Sequence, residues 1–118
     1  MPKIPDSTKT SLEQRLNIRA RERWPQIKRV EVRFRAGFAY VDARLAGDAE
    51  PEVLRLCRLR YGGSASLWGF AIYRGSHDDY EDSWLPSGLP VGSPAEALDT
   101  SCGLYLDDPS AWREPPTN

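Results

Sequence analysis

The amino-acid sequence predicts an α+β domain, an antiparallel sheet of four to five strands with an N-terminal and a C-terminal helix packed on it. Three patterns carry that expectation. Leu12, Leu16, Ala20 and Trp24 recur every fourth residue, as one face of a helix does. Val30, Val32 and Phe34 alternate with Arg29, Glu31, Arg33 and Arg35, the period of a half-buried strand. Leu67-Trp68-Gly69-Phe70-Ala71-Ile72-Tyr73 is the longest uncharged apolar run, holds aromatics and the β-branched Ile72 and is apolar on both phases, so it reads as a central strand.

Taken in order, residues 1–9 hold two prolines and read as a flexible N-terminal arm. Thr10-Ser11-Leu12-Glu13 has the form of a capping box, which would start the first helix at Thr10. Pro25 stops it. Ala36-Gly37 supplies a turn between the Arg29–Arg35 strand and a partner over Phe38–Leu45. Residues 52–61 fit a helix turn through Val53, Leu56 and Cys57, and a strand through Cys57, Leu59 and Tyr61; a strand over Leu56–Tyr61 is preferred. Gly62-Gly63 then reads as the turn of a second hairpin. Tyr80–Leu85 is an edge strand, limited by Pro86, and Ser87–Gly92 an irregular loop. Ser93-Pro94-Ala95-Glu96 is the clearest helix start, with Ser at the N-cap, Pro at the first position and Glu at the third. Ala95, Leu98, Cys102, Tyr105 and Leu106 share that helix's apolar face. Residues 10–108 form the domain and 109–118 a tail, from which Trp112 could dock back.

One domain suits 118 residues, and no metal or disulfide is needed to fold a chain of this size. No apolar run approaches a membrane span of roughly 18 residues, and the N-terminus lacks the hydrophobic region of a secretory signal. The expected location is therefore the cytoplasm, with Cys57 and Cys102 as buried thiols. No cofactor and no metal site is implied, since Cys-x-x-Cys and Cys-His spacings are missing.

Leu56-Cys57-Arg58-Leu59-Arg60-Tyr61-Gly62-Gly63-Ser64, then Trp68–Tyr73, Tyr80-Glu81-Asp82-Ser83, Leu85-Pro86-Ser87-Gly88 and Ala97-Leu98-Asp99 together resemble a family of small actinobacterial proteins of unknown function. The resemblance covers about residues 50–108. It implies a bacterial source and brings no activity, ligand or catalytic residue with it.

Charge is unevenly spread. Residues 1–60 sum to +6 and residues 61–118 to −7, within a net charge of −1. Between Arg15 and Arg35 the chain carries eight basic residues and two acids. A basic face built from Arg15, Arg19, Arg23, Arg29, Arg33 and Arg35 could engage a nucleic-acid backbone or an acidic protein. The plain alternative is a solvated face neutralised by the acidic half of the same chain. A second cluster gathers the sole histidine, His77, with Asp78 and Asp79; Asp99 could join it as a small-molecule or metal-dependent enzyme site. Its spacing matches no metal or catalytic motif, so a polar hairpin loop is the simpler reading. Cys57 pairs with His77 as nucleophile and base only if folding joins them. Six aromatics between Tyr61 and Trp84 read first as core and second as a stacking surface. The leading expectation is thus a non-enzymatic binding or accessory protein. The rivals are an enzyme at the histidine–aspartate cluster and a homodimer formed through the open sheet face or the edge near Trp84.

Overall fold

The computed structural model describes residues 3–46, 53–106 and 108. Its order is helix α1 (Asp6–Arg23), strands β1 (Ile27–Arg35), β2 (Phe38–Leu45), β3 (Val53–Ser64), β4 (Leu67–Arg74), β5 (Asp79–Asp82) and β6 (Val91–Gly92), then helix α2 (Pro94–Tyr105). All strand pairs are antiparallel, in the order β1-β2-β3-β4-β5, and β6 also pairs with β4.

The first helix begins four residues before the expected Thr10. Thr10 donates its hydroxyl to the Asp6 carbonyl inside the helix instead of capping it. The apolar stripe explains the extension. Ile4 and Thr8 are buried and continue the four-residue spacing of Leu12, Leu16, Ala20 and Trp24 back toward the terminus. Burial of that stripe, with Asp6 on the favourable end of the dipole, replaces a side-chain cap. Described residues of the expected arm therefore belong to the domain.

β1 and β2 meet in a two-residue turn in which Ala36 (φ 52°) and Gly37 (φ 83°) both have positive φ, the geometry that matches strand twist. β3 runs from Val53, so the ambiguous stretch is strand throughout its described part. The Gly62-Gly63 pair is not the next turn. Tyr61 pairs with Trp68 but Ser64 with Leu67, so the two glycines form a bulge and Ala65-Ser66 makes the turn. A Cβ on Gly62 would lie 2.6 Å from the Leu67 carbonyl oxygen, which is why a side chain is excluded there. The Trp68 indole donates to the Ala65 carbonyl at 3.0 Å and tightens the turn.

β4 lies inside the sheet, as expected for the apolar run. Its outer edge is shared: β5 pairs along Ala71–Arg74, and β6 along Trp68–Gly69. The edge strand thus ends at Asp82, short of the expected Leu85, and the expected loop over 87–92 returns to the sheet. Leu85, between them, is buried in the core. α2 starts as the sequence indicates, with the Ser93 hydroxyl accepting from the Glu96 amide and the Glu96 carboxylate accepting from the Ser93 amide. Residues 109–118, including Trp112, lie outside the described residues.

Both helices cover the same sheet face. Val30, Ala39, Val41, Cys57, Leu59, Trp68 and Phe70 point toward them and join Leu12, Leu16, Trp24 and Leu98 in one core. Cys57 and Cys102 are free and buried there, and desolvation pushes the Cys57 thiol up to about 12. A polar clamp closes the helix layer. Asp99 on α2 is 2% exposed. It accepts from Arg19 of α1 at 2.7 Å and from the Trp24 indole at 2.9 Å. Asp108 pairs with Arg23 at 2.9 Å one turn further on.

Truncating Asp99 strands the buried Trp24 N–H and leaves the largely covered Arg19 guanidinium with only its longer 3.8 Å pair to Glu22 among the described residues. Asp99→Ala is expected to lower unfolding free energy by about 3 kcal/mol, while Lys9→Ala changes it by less than about 0.5 kcal/mol. Urea denaturation checks both; a loss below about 1 kcal/mol for Asp99→Ala would remove the clamp as a main tie between the helices.

Candidate functional site on the open sheet face

Strand alternation sends every second residue of the sheet away from the helices. On β1 these are Arg29, Glu31, Arg33 and Arg35; on β2, Phe38, Tyr40, Asp42 and Arg44. β3 would break phase midway, but a bulge at Leu56 corrects it. Val41 pairs with Cys57 and Asp42 with Arg55, so Leu56 and Cys57 are both buried while Arg55, Arg58 and Arg60 share the open face. Tyr73 of β4 and Tyr80 of β5 sit opposite each other at the far edge.

The result is a lattice of guanidiniums over rings. Arg58 lies 4.6 Å from the Phe38 ring centre, Arg33 5.5 Å from Tyr40 and Arg55 5.8 Å from Tyr73. Beneath them the rings touch in sequence: Phe38 to Tyr40 at 6.5 Å, Tyr40 to Tyr80 at 5.4 Å and Tyr80 to Tyr73 at 5.3 Å. Each guanidinium itself lies over its ring as a cation–π pair, with the Arg33 and Arg55 side chains still 60% and 48% exposed. Gly69 leaves a depression of about 180 Å³ beside Phe38, Arg58 and Arg60.

Carboxylates are interleaved. Glu31 holds Arg44 at 3.1 Å and Arg29 at 2.6 Å, and those two cations keep its carboxyl below the usual range. Arg55 reaches Asp78 at 3.3 Å and Arg58 reaches Asp82 at 3.4 Å. Arg35 and Arg60 have no ion pair among the described residues. Arg29, Arg33, Arg35, Arg44, Arg55, Arg58 and Arg60 stand against Glu31, Asp42, Asp78 and Asp82, so the face carries a surplus of three positive charges.

Asp42 is the exception among these acids. It is 8% exposed, and its one ion pair among the described residues is a long one, 3.5 Å to Arg33. Its Oδ1 and the Tyr80 hydroxyl are the buried side-chain polar atoms left without a partner among the described residues. Desolvation raises the Asp42 carboxyl above its ordinary value, against the pull of Arg33 and Arg55. Tyr80 is raised for the same reason, with Asp42 adding to it.

The basic residues singled out in the sequence fall on two surfaces. Arg29, Arg33 and Arg35 belong to the open face. Arg15, Arg19 and Arg23 belong to the helix layer: Arg15 donates to the Ala65 carbonyl at 2.9 Å, Arg19 holds Asp99, and Arg23 holds Asp108. The acidic cluster is dispersed as well. His77 contacts Ser76, Asp78 accepts from the Tyr73 hydroxyl at 2.6 Å and Asp79 pairs with Arg74 at 2.8 Å, all in or beside the exposed β4–β5 turn. Asp99 sits between the helices. No group of three metal-ligating residues occurs among the described residues. Reading the sequence as a linear cluster missed Arg44, Arg55, Arg58, Arg60, Phe38 and Tyr40. Their signal was strand phase, legible once the β1–β2 and β2–β3 registers were set.

No protein-family model matches the chain, and neither a curated protein nor a solved structure matches it. No helix among the described residues is long and apolar enough to cross a membrane.

The raised Asp42 carboxyl has a sign that can be tested. The folded chain holds that proton to a higher pH than the unfolded chain. Its contribution to stability is therefore lost as pH rises from the ordinary aspartate value of about 3.9 through the raised folded one. Asp42→Asn removes the burden and is expected to stabilise the fold at pH 7 by about 1 kcal/mol, roughly 4 °C in melting temperature, with no gain near pH ~3. Equal gains at both pH values in thermal melts would show that charge burial is not the cause.

Proposed function

We propose that this chain is a bacterial, cytoplasmic, non-enzymatic accessory protein that binds single-stranded nucleic acid across its open sheet face. The observation that carries the reading is the overlay of arginines on contiguous aromatic rings across three strands, uncovered by any described element. Phosphates would be served by the cations, and bases would stack on the guanidinium planes or replace them over the ring faces, the two requirements of sequence-tolerant single-strand binding. A duplex would use the charges and leave the rings idle, and an acidic protein would do the same. Sheet faces that stack splayed-out bases are a recurring solution to this problem; here that is analogy of layout only. Arg35 and Arg60, with no carboxylate at hand, are the cations available without breaking an ion pair. The enzyme reading has less to rest on, because His77, Asp78, Asp79 and Asp99 do not converge.

Fluorescence polarisation with labelled 12-nucleotide single strands at low salt tests the proposal. Affinity should fall linearly with salt on a log–log plot, and the Arg35→Ala, Arg60→Ala pair should flatten that slope by about 1.4. Phe38→Ala should weaken binding roughly 10-fold with the slope kept. Retention of poly-glutamate in place of any strand would favour an acidic protein partner. If no strand were retained at low salt, the nucleic-acid reading would fall.

A further inference from the structure

We infer that the free edge of β1 is a second binding site, which takes an extended acidic peptide as an added strand of the sheet. It stands whether or not the open face binds nucleic acid. β1 ends the strand order, so one side of it has no neighbouring strand. In an antiparallel ladder, alternate residues aim both backbone groups at the partner strand or away from it. Val30 shows which phase points away. Its amide donates to the Asn17 carboxamide oxygen at 2.8 Å, and its carbonyl accepts from the same side chain at 3.1 Å. Asn17 of α1 thus closes the edge at Val30 as a strand would. Val32 and Phe34 share that phase, since the β1–β2 register runs without a shift from Arg29 to Arg35. Their amides and carbonyls point outward, and among the described residues nothing pairs with them.

The surroundings of this open stretch specify its occupant. Beside it lies a cavity of about 380 Å³ lined by Ile4, Phe34, Lys3, Lys9 and Arg35. No described carboxylate lines it, and Asp6 reaches Lys9 only at 3.9 Å. The Lys9 ammonium sits 5.4 Å from the Phe34 ring centre. An added strand would lay one row of side chains beside Val32 and Phe34, which pack against the core. Its other row would lie beside the exposed Arg33 and Arg35. A peptide that alternates β-branched and acidic residues satisfies both rows. A second copy fits less well. Pairing two β1 strands through both Val32 and Phe34 sets each Arg33 directly opposite its copy, and like charges so placed destabilise a sheet. β5, at the opposite edge, is four residues long with three acids, and would repel the same peptide. Addition of a strand to an exposed edge takes its affinity from main-chain hydrogen bonds and its specificity from alternate side chains.

The test titrates a labelled, end-capped octapeptide of alternating glutamate and valine against the full chain. Fluorescence polarisation should show saturable binding at about 1 mM or below. Two-dimensional NMR should move the Val32 and Phe34 amides furthest. A lysine–valine peptide should bind roughly 10-fold more weakly, and Lys9→Glu should weaken the glutamate peptide by a similar factor. N-methylation of the valines removes the pairing donors and keeps the charge, so it should abolish binding. Undiminished binding of the N-methylated peptide, equal binding of the lysine peptide, or shifts centred away from Val32 and Phe34 overturns the edge site. So does an absence of binding up to about 1 mM. A dimer in light scattering, with those two amides already protected from hydrogen exchange, would overturn the peptide in favour of a second copy. A single-stranded oligonucleotide that moves the same amides and displaces the peptide would overturn it in favour of nucleic acid at the edge.

Discussion

The carboxylate of Asp99, fixed between the Arg19 guanidinium and the Trp24 indole, is the constraint on which the rest of the architecture leans. A charge with 2% exposure survives only with full partnership, and its partners come from α1 and from Trp24, which caps that helix. α2 therefore cannot slide along the sheet or leave it without α1. Since α1 contacts β1 and α2 contacts β3 and β4, joining the helices spreads them over one face. The opposite face receives nothing from either.

A face left open must be made compatible with water while its rings stay ordered. The chain meets this with arginines more than with small polar residues. Guanidiniums lie over the Phe38, Tyr40 and Tyr73 rings, so apolar area is covered without a second helix layer. The bulge at Leu56 is essential to that arrangement. Without the extra residue, Arg55 would share the inward phase of Cys57 and enter the core. One local irregularity thus lets a single strand feed both the core and the charged face.

Features set by neighbours in sequence were legible before any coordinates. The α2 capping box needs only Ser93, Pro94 and Glu96, and the α1 stripe and β1 alternation are local periods. Features set by distant partners were not. Gly62-Gly63 looks like a turn until Tyr61 is known to face Trp68. Val91-Gly92 looks like loop until β4 offers it a free edge. Thr10 and Glu13 satisfy a capping pattern, yet the buried Ile4 and Thr8 draw the helix past them. The basic cluster illustrates the same limit in function. Eight cations within 21 residues of sequence are sorted by two different periods, with Arg15, Arg19 and Arg23 sent to the helix layer and Arg29, Arg33 and Arg35 to the far side of the sheet.

Sorting also changes what the net charge means. The basic first half and acidic second half do neutralise each other in part, through Arg19–Asp99, Arg23–Asp108, Arg55–Asp78 and Arg58–Asp82. Pairing is incomplete on the open face, which keeps a surplus of three positive charges in a chain whose total is −1. The remainder of the chain therefore sums to −4. Charges beyond a Debye length of about 10 Å at 0.1 M salt act weakly on a bound ligand, while those in contact are little screened. Added salt thus removes repulsion from the distant acids sooner than attraction from the arginines. A polyanion on this face should respond to salt less steeply than the number of guanidiniums alone would dictate, and an overall pI near 5.8 is no obstacle to its binding.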